Sequence, residues 1–158
     1  TPGGSVAFGL GYEELDENGQ PVPGTFLDIA PFDADRPTLC VPLGAGNSPA
    51  VERWEMVNIA AEDHNFHMHQ VKFSLLSRDR ISGRLVPHRG GVLHDNVPVP
   101  HAQGDCESVS DWRAGRCTAY PTTVEIPFTV AGDFSSPCHL GEHSDSGMMA
   151  RIRVRATR

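Results

Sequence analysis

No stretch of this sequence approaches the ~20 consecutive apolar residues of a spanning helix, so no membrane span is expected in it. Basic charge is short as well. The 13 Lys and Arg stand against 20 Asp and Glu, a formal charge of -7, which leaves no electrostatic footprint for a nucleic acid. The chain opens on Thr1-Pro2-Gly3-Gly4 with no charged-then-apolar signal pattern, a start compatible with a signal already removed. Long helical periods, internal repeats and low-complexity linkers are missing too, which argues against a helical bundle or a repeat array. At 158 residues the expectation is one domain spanning 1–158. A chain of that length buries roughly 70% of the surface its unfolded form exposes. It needs neither metal nor disulfide merely to hold a core, so a metal site in it is expected to serve function.

Turn residues, by contrast, are abundant. The 16 Gly and 13 Pro punctuate short runs of Val, Ile, Thr and Phe, the signature of an all-β protein. In Thr123-Val124-Glu125-Ile126-Pro127-Phe128 the even positions are apolar and Thr123 and Glu125 face the other way, the period of a half-buried strand. Pro127 marks an edge or a bulge there. Ala150-Arg151-Ile152-Arg153-Val154-Arg155 alternates in the same way, with three arginines on an exposed face. On an acidic chain that stripe reads as a solvated face or a docking surface rather than an anion site. Further strands are expected around 5–12, 26–29, 51–60, 67–77 and 91–99, separated by turn-rich loops such as Asp16-Glu17-Asn18-Gly19 and Gly44-Ala45-Gly46-Asn47. Short strands at this spacing predict a sandwich or barrel, and 100–121 reads as a surface loop.

Cys106 and Cys117 lie in that loop among Gly104, Asp105, Ser108, Ser110 and Gly115. A disulfide closing a polar hairpin is expected, which places the protein in an oxidising compartment outside the cytoplasm, periplasmic or secreted. Two unpaired thiols, or pairing of either with Cys40, are the alternatives. Cys40, in Thr38-Leu39-Cys40-Val41, reads as a buried thiol, with a bridge to another domain as the other option.

From Cys138 the chain runs Cys-His-Leu-Gly-Glu-His-Ser-Asp-Ser-Gly-Met-Met, with His139 beside the thiol, His143 five residues on and Met148 ten. A thiolate, imidazole nitrogens and a weakly held thioether are the donors of a trigonal His₂Cys copper with a long axial Met, a geometry suited to electron transfer. The remaining histidine can come from His64-Asn65-Phe66-His67-Met68-His69, which opens a strand continuing through Val71, Phe73 and Leu75. Period-two geometry puts His67 and His69 on one side, able to share a metal cluster, while His64 precedes the alternation and can be turned toward Cys138. Taken alone, three histidines in six residues also suit a zinc site or a chance surface patch.

Together these segments resemble the C-terminal cupredoxin domain of the multicopper oxidases, the family of laccases, bilirubin oxidases, spore-coat laccases and cuprous oxidases. The resemblance covers most of the chain. It rests on His64-x-x-His67-x-His69 and on Cys138-His139-x-x-x-His143-x-x-x-Gly147-Met148. It also takes in Val51-Glu52-Arg53-Trp54-Glu55-Met56-Val57-Asn58, similar to the strand before the first histidine cluster, and His94-Asp95-Asn96-Val97-Pro98-Val99, similar to the segment before the final strands. The resemblance implies a cupredoxin-like Greek-key β-sandwich or barrel with copper as cofactor. In it His64, Cys138 and His143 are the strong ligands of a type 1 copper, Met148 is the axial ligand and Met149 is packing. His67 then ligates the type 2 copper, and His69 and His139 the type 3 coppers. The implied activity takes single electrons from a small-molecule or metal-ion reductant, passes them over the bonded Cys138–His139 step and reduces dioxygen to water.

Two departures fall near the oxygen-reducing coppers. The family has a histidine before the cysteine, whereas this chain has Ser136-Pro137-Cys138-His139. Close bacterial relatives have an acidic residue after the second type 1 histidine, whereas here Ser144 stands there with Asp145 next. Either the cluster lacks a ligand, or His88, His94, His101 or a water fills the place; the three histidines are expected as exposed loop residues. The family's cluster also draws on two His-x-His segments of an N-terminal domain, which this sequence does not contain. An N-terminal cupredoxin domain or partner subunit is therefore expected to complete it, while the plain ending after the last strand reads as a natural C-terminus. One alternative is a single-domain blue-copper protein that passes electrons or holds copper without reducing oxygen. Another is a zinc-binding structural or hydrolytic module, which leaves the Cys–His–Met spacing unexplained. With 4 Met, two of them at the axial position, a methionine-rich cuprous channel is not expected. Phenols, tetrapyrroles, Cu(I) and Mn(II) all stay open as donors.

Overall fold

A computed structural model describes residues 9–35, 39–138 and 148–157. Among these the chain forms β1 (Leu10–Tyr12), β2 (Leu27–Ala30), β3 (Leu39–Pro42), β4 (Ala50–Met56), β5 (His64–His67), β6 (Phe73–Arg78) and β7 (Leu85–Pro87). Then follow β8 (Leu93–His94), β9 (Asn96–Val99), β10 (Gln103–Gly104), helix α1 (Val109–Arg113), β11 (Cys117–Thr118), β12 (Thr122–Phe128), β13 (Gly132–Pro137) and β14 (Met149–Arg155). The largest sheet runs β4-β12-β6-β7, with β8 also on β6. A second runs β13-β14-β3, and β5 pairs with β9 in a sheet of their own. No helix of the described residues is long and apolar enough to cross a membrane.

The two alternating segments build the opposing faces. On β12, Val124, Ile126 and Phe128 are completely buried, and on β14 so is Ile152, with Val154 beside it at 3% exposure. These side chains, with Val41 of β3 and Phe134 of β13, form one apolar cluster between the sheets. The result is the expected sandwich, in which β14, and β12 from Val124 on, bury every second residue. β12 is not an edge strand, however. It pairs with β4 from Thr122↔Met56 to Phe128↔Ala50, whereas β6 covers only Thr123 to Glu125. Pro127, which has no N–H for a ladder, lies past the end of the β6 pairing, so the edge it signals is local.

β14 likewise lies inside its sheet, between antiparallel β13 and parallel β3. Its arginines do face outward. Arg153 makes a two-pronged contact with Asp133 on β13, Nε to Oδ1 and Nη2 to Oδ2, both at 2.8 Å. That contact holds the Asp133 carboxyl below the usual aspartate range.

Five expectations need correction. The run from His67 to Ser77 is two strands, because the chain leaves the β9 ladder at Met68. The Met68 N–H donates to the Asp95 carbonyl at 3.0 Å, its side chain is 1% exposed, and Gln70 takes a left-handed φ of 67° that ends any continuous strand. Residues 91–99 are likewise β8 and β9, split at Asp95, and the strand expected to reach residue 60 ends at Met56. The segment 100–121 is no plain loop, since it contains the β10–β11 hairpin and α1, whose start Ser108 caps by accepting from the Asp111 N–H at 3.2 Å. Finally, Cys40 is exposed rather than buried. Leu39 and Val41 turn toward the interior of β3, and alternation leaves Cys40 on the outer face opposite Arg153.

The Cys106–Cys117 disulfide is present, with Cα atoms 5.6 Å apart, and it closes the β10–β11 hairpin as expected. Cys138 is 4% exposed. A thiol reagent added to the folded, metal-free protein is thus expected to modify one cysteine fast, Cys40, and a second only on unfolding; two fast thiols would contradict this placement. In the core, Ile126→Ala removes a completely buried side chain and should cost about 2–5 kcal/mol of stability, measured by urea unfolding.

Candidate metal centre

His64 begins β5 and Cys138 follows β13. The backbone bridge between Phe66 and Cys138 brings these two elements together. Asymmetric burial does the rest. His64 is 8% exposed and Cys138 4%, so both side chains turn inward, and the His64 Nδ1 lies 3.9 Å from the Cys138 Sγ. Two ligands of one trigonal metal, with bonds of about 2.3 Å to sulfur and about 2.0 Å to nitrogen, stand about 3.7 Å apart. The observed pair therefore fits a shared metal ion. The Asn65 N–H also points at the Cys138 sulfur, at 3.5 Å. Met148 is 8% exposed, and the Cys138 N–H donates to its carbonyl at 3.0 Å, so the axial candidate starts beside the cysteine.

A second grouping lies at the margin of the same strands. The rings of His67 and His69 meet edge-on with centroids 4.9 Å apart. Two adjacent serines of β13 hold them. Ser136, buried, donates to the His67 carbonyl at 2.7 Å, and the Ser135 Oγ is hydrogen-bonded to the His69 Nδ1 at 3.0 Å. The His69 N–H also donates to the Ser135 carbonyl at 3.3 Å. Engagement of Nδ1 by the serine directs metal binding to Nε2. Neither serine was singled out from the sequence, and neither carries a signal there beyond standing two and three residues before the cysteine.

His139 and His143 lie outside the described residues. Among the described residues no three metal-binding side chains gather closely enough to hold an ion. What is placed is a part of each candidate set: His64, Cys138 and Met148 of one, His67 and His69 of the other. Of the three histidines expected on exposed loops, His101 is exposed and pairs through Nδ1 with Asp63 at 2.7 Å. His88 is half-buried in a short 3-10 turn. His94 lies instead on β8 opposite Phe73, half-buried with its Nε2 fully covered. Asp63, next to His64, is held below the usual aspartate range, first by the backbone N–H of His101, then by its ring, with the charge of His64 contributing.

No protein-family model matches the chain. It is 27% identical over 107 residues to the multicopper oxidases of Staphylococcus haemolyticus and Staphylococcus aureus, a match covering 65% of this chain and 20% of each relative. The chain thus spans about a fifth of the length of the curated relatives it matches. Among solved structures, it superposes on a multicopper oxidase from Campylobacter jejuni, described as a metallo-oxidase, with a TM-score of 0.57 and 24% identity over 81% of this chain and 22% of the other. It also superposes on a multi-copper oxidase from Pediococcus acidilactici, with a TM-score of 0.51 and 23% identity over 90% of this chain and 28% of the other. The chain therefore has the cupredoxin fold and resembles the multicopper oxidases in sequence, matching one portion of those larger proteins.

Proposed function

We propose that this chain is a single cupredoxin domain of a larger or multi-subunit copper oxidase and that it carries the type 1 copper. The observation that carries the reading is the His64 Nδ1 at 3.9 Å from the Cys138 Sγ, both buried and brought together across 74 residues of sequence. His143 and Met148 complete the set. Copper held by these residues would supply one-electron transfer from a reductant toward an oxygen-reducing cluster. The chain's residues do the rest. Burial of Cys138 and His64 keeps water from the metal position, and the Asn65 N–H is directed at the sulfur. Cys138 is covalently continuous with His139, so a ligand of one copper and a candidate ligand of the next are one peptide unit apart.

His67 and His69, with His139, form this chain's share of the cluster, held by Ser136 and Ser135. The remaining histidines come from an N-terminal domain or a partner chain, as the length of the relatives supports. The Cys106–Cys117 bridge supports an extracytoplasmic setting. A second reading, an electron-carrying copper domain that does not reduce oxygen, is favoured by Ser136-Pro137 where the family has a histidine before the cysteine.

Copper-loaded protein is expected to show an intense blue thiolate-to-Cu(II) absorption that Cys138→Ser abolishes; an unchanged spectrum in that variant refutes the type 1 assignment. Oxygen uptake with a phenolic or cuprous donor, measured with the N-terminal partner present, is expected for the oxidase and to fall at least 100-fold in His67→Ala. Blue colour without any turnover under those conditions supports the carrier.

A further inference from the structure

Between β4 and β5 the chain leaves one sheet and enters another over Val57 to Asp63, and the residue that ends this link is His64. A seven-residue link offers few backbone ladders to fix its end, and the direction of His64 depends on how it is held. Asn58 lies at its start and is 6% exposed, one of the few buried polar residues among those described. Its amide spans the link. Nδ2 donates to the Glu62 carbonyl at 2.8 Å and to the Val99 carbonyl at 3.0 Å, while Oδ1 accepts from the Ala60 N–H at 2.9 Å. Two carbonyls on one end and an N–H on the other fix which way the amide faces. Val99 is the register partner of His64 on β9. One side chain therefore ties the turn at Ala60, the residue two before His64, and the strand position opposite His64.

The outside of the link is strapped separately. The Ala102 N–H donates to the Ala60 carbonyl at 3.1 Å, and the His101 N–H donates to Asp63 Oδ1 at 2.9 Å. The His101–Asp63 contact is exposed, whereas Ala102, like Asn58, is buried. A hydrophobic residue of similar volume there would take from the buried Val99 carbonyl, and from the part-buried Glu62 carbonyl and Ala60 N–H, the bonds they now make.

From this we infer that Asn58 is a positioning residue for the His64 ligand: its buried amide sets the angle at which the imidazole meets the Cys138 sulfur. The inference rests on the type 1 reading and assigns to it a determinant outside the ligand set. Groups that orient a ligand through backbone contacts change affinity and ligand field without touching the metal.

Asn58→Asp tests it, since the change preserves shape and the acceptor toward Ala60 but removes both donors. Expected are a roughly 10–100-fold weaker retention of Cu(II) and a shifted blue absorption and electron paramagnetic resonance spectrum in the folded fraction. In a His64→Ala background the same change should add nothing, because Asn58 acts through that ligand. Ile126→Ala is the control, lowering stability while leaving both copper readouts unchanged. If Asn58→Asp does not fold, Asn58→Ser, which cannot reach both carbonyls, carries the test. Lowered stability with wild-type copper affinity and spectrum would overturn the inference and leave the copper site intact. Absence of a blue absorption in the wild-type protein would instead defeat the type 1 reading itself.

Discussion

Where the end of β13 meets β5, Phe66 and Cys138 face each other across a single antiparallel bridge. That contact sets the distance between a thiol and an imidazole that are far apart in sequence, and both side chains point away from water on arrival. Burial makes the pair consequential. A cysteine and a histidine on a surface are unremarkable, but in a sandwich interior the sulfur has a histidine ring nitrogen and a backbone N–H aimed at it. The two sheets exist to hold this meeting point: the apolar cluster of β3, β12 and β14 fixes β14, β14 fixes β13, and β13 delivers Cys138.

The same strand serves both halves of the proposed chemistry by alternation. Phe134, Ser136 and Cys138 turn inward, and Ser136 takes up the His67 carbonyl on the way. Ser135 turns outward and reaches His69, which is itself exposed. One register thus places a dry, sulfur-containing half inside and leaves a histidine pair at the margin, open to completion from outside the chain. A one-residue slip of β13 would exchange the two sets, so packing of the inward side chains holds the register.

Much of this was legible in the sequence wherever one physical rule dominated. Period-two alternation predicts β12 and β14, and the resemblance to the multicopper oxidases implies the meeting of His64 with Cys138. The Cys106–Cys117 bridge followed from two thiols in a polar, glycine-containing loop. What was hidden depended on tertiary context. The break after His67 rests on Gln70 adopting a left-handed conformation, which no glycine announces. β13 is too polar to stand out, because Asp133 and Ser135 face outward and one of its two buried positions, Ser136, is itself polar. Cys40 was placed inside because free thiols usually are, whereas its neighbours Leu39 and Val41 claim the inward positions. Asn58 reads in the sequence as part of the strand expected over 51–60; its bonds to Ala60 and Glu62 arise because that strand ends at Met56, and its bond to Val99 because β9 lies alongside.

The account stands or falls on one copper ion being shared by Cys138 and His64. X-ray absorption of the Cu(II)-loaded chain measures this directly. The account predicts a short copper–sulfur scattering path that disappears in Cys138→Ser, together with imidazole scattering that weakens in His64→Ala. A first shell of nitrogen and oxygen alone, unaltered in both variants, would contradict it.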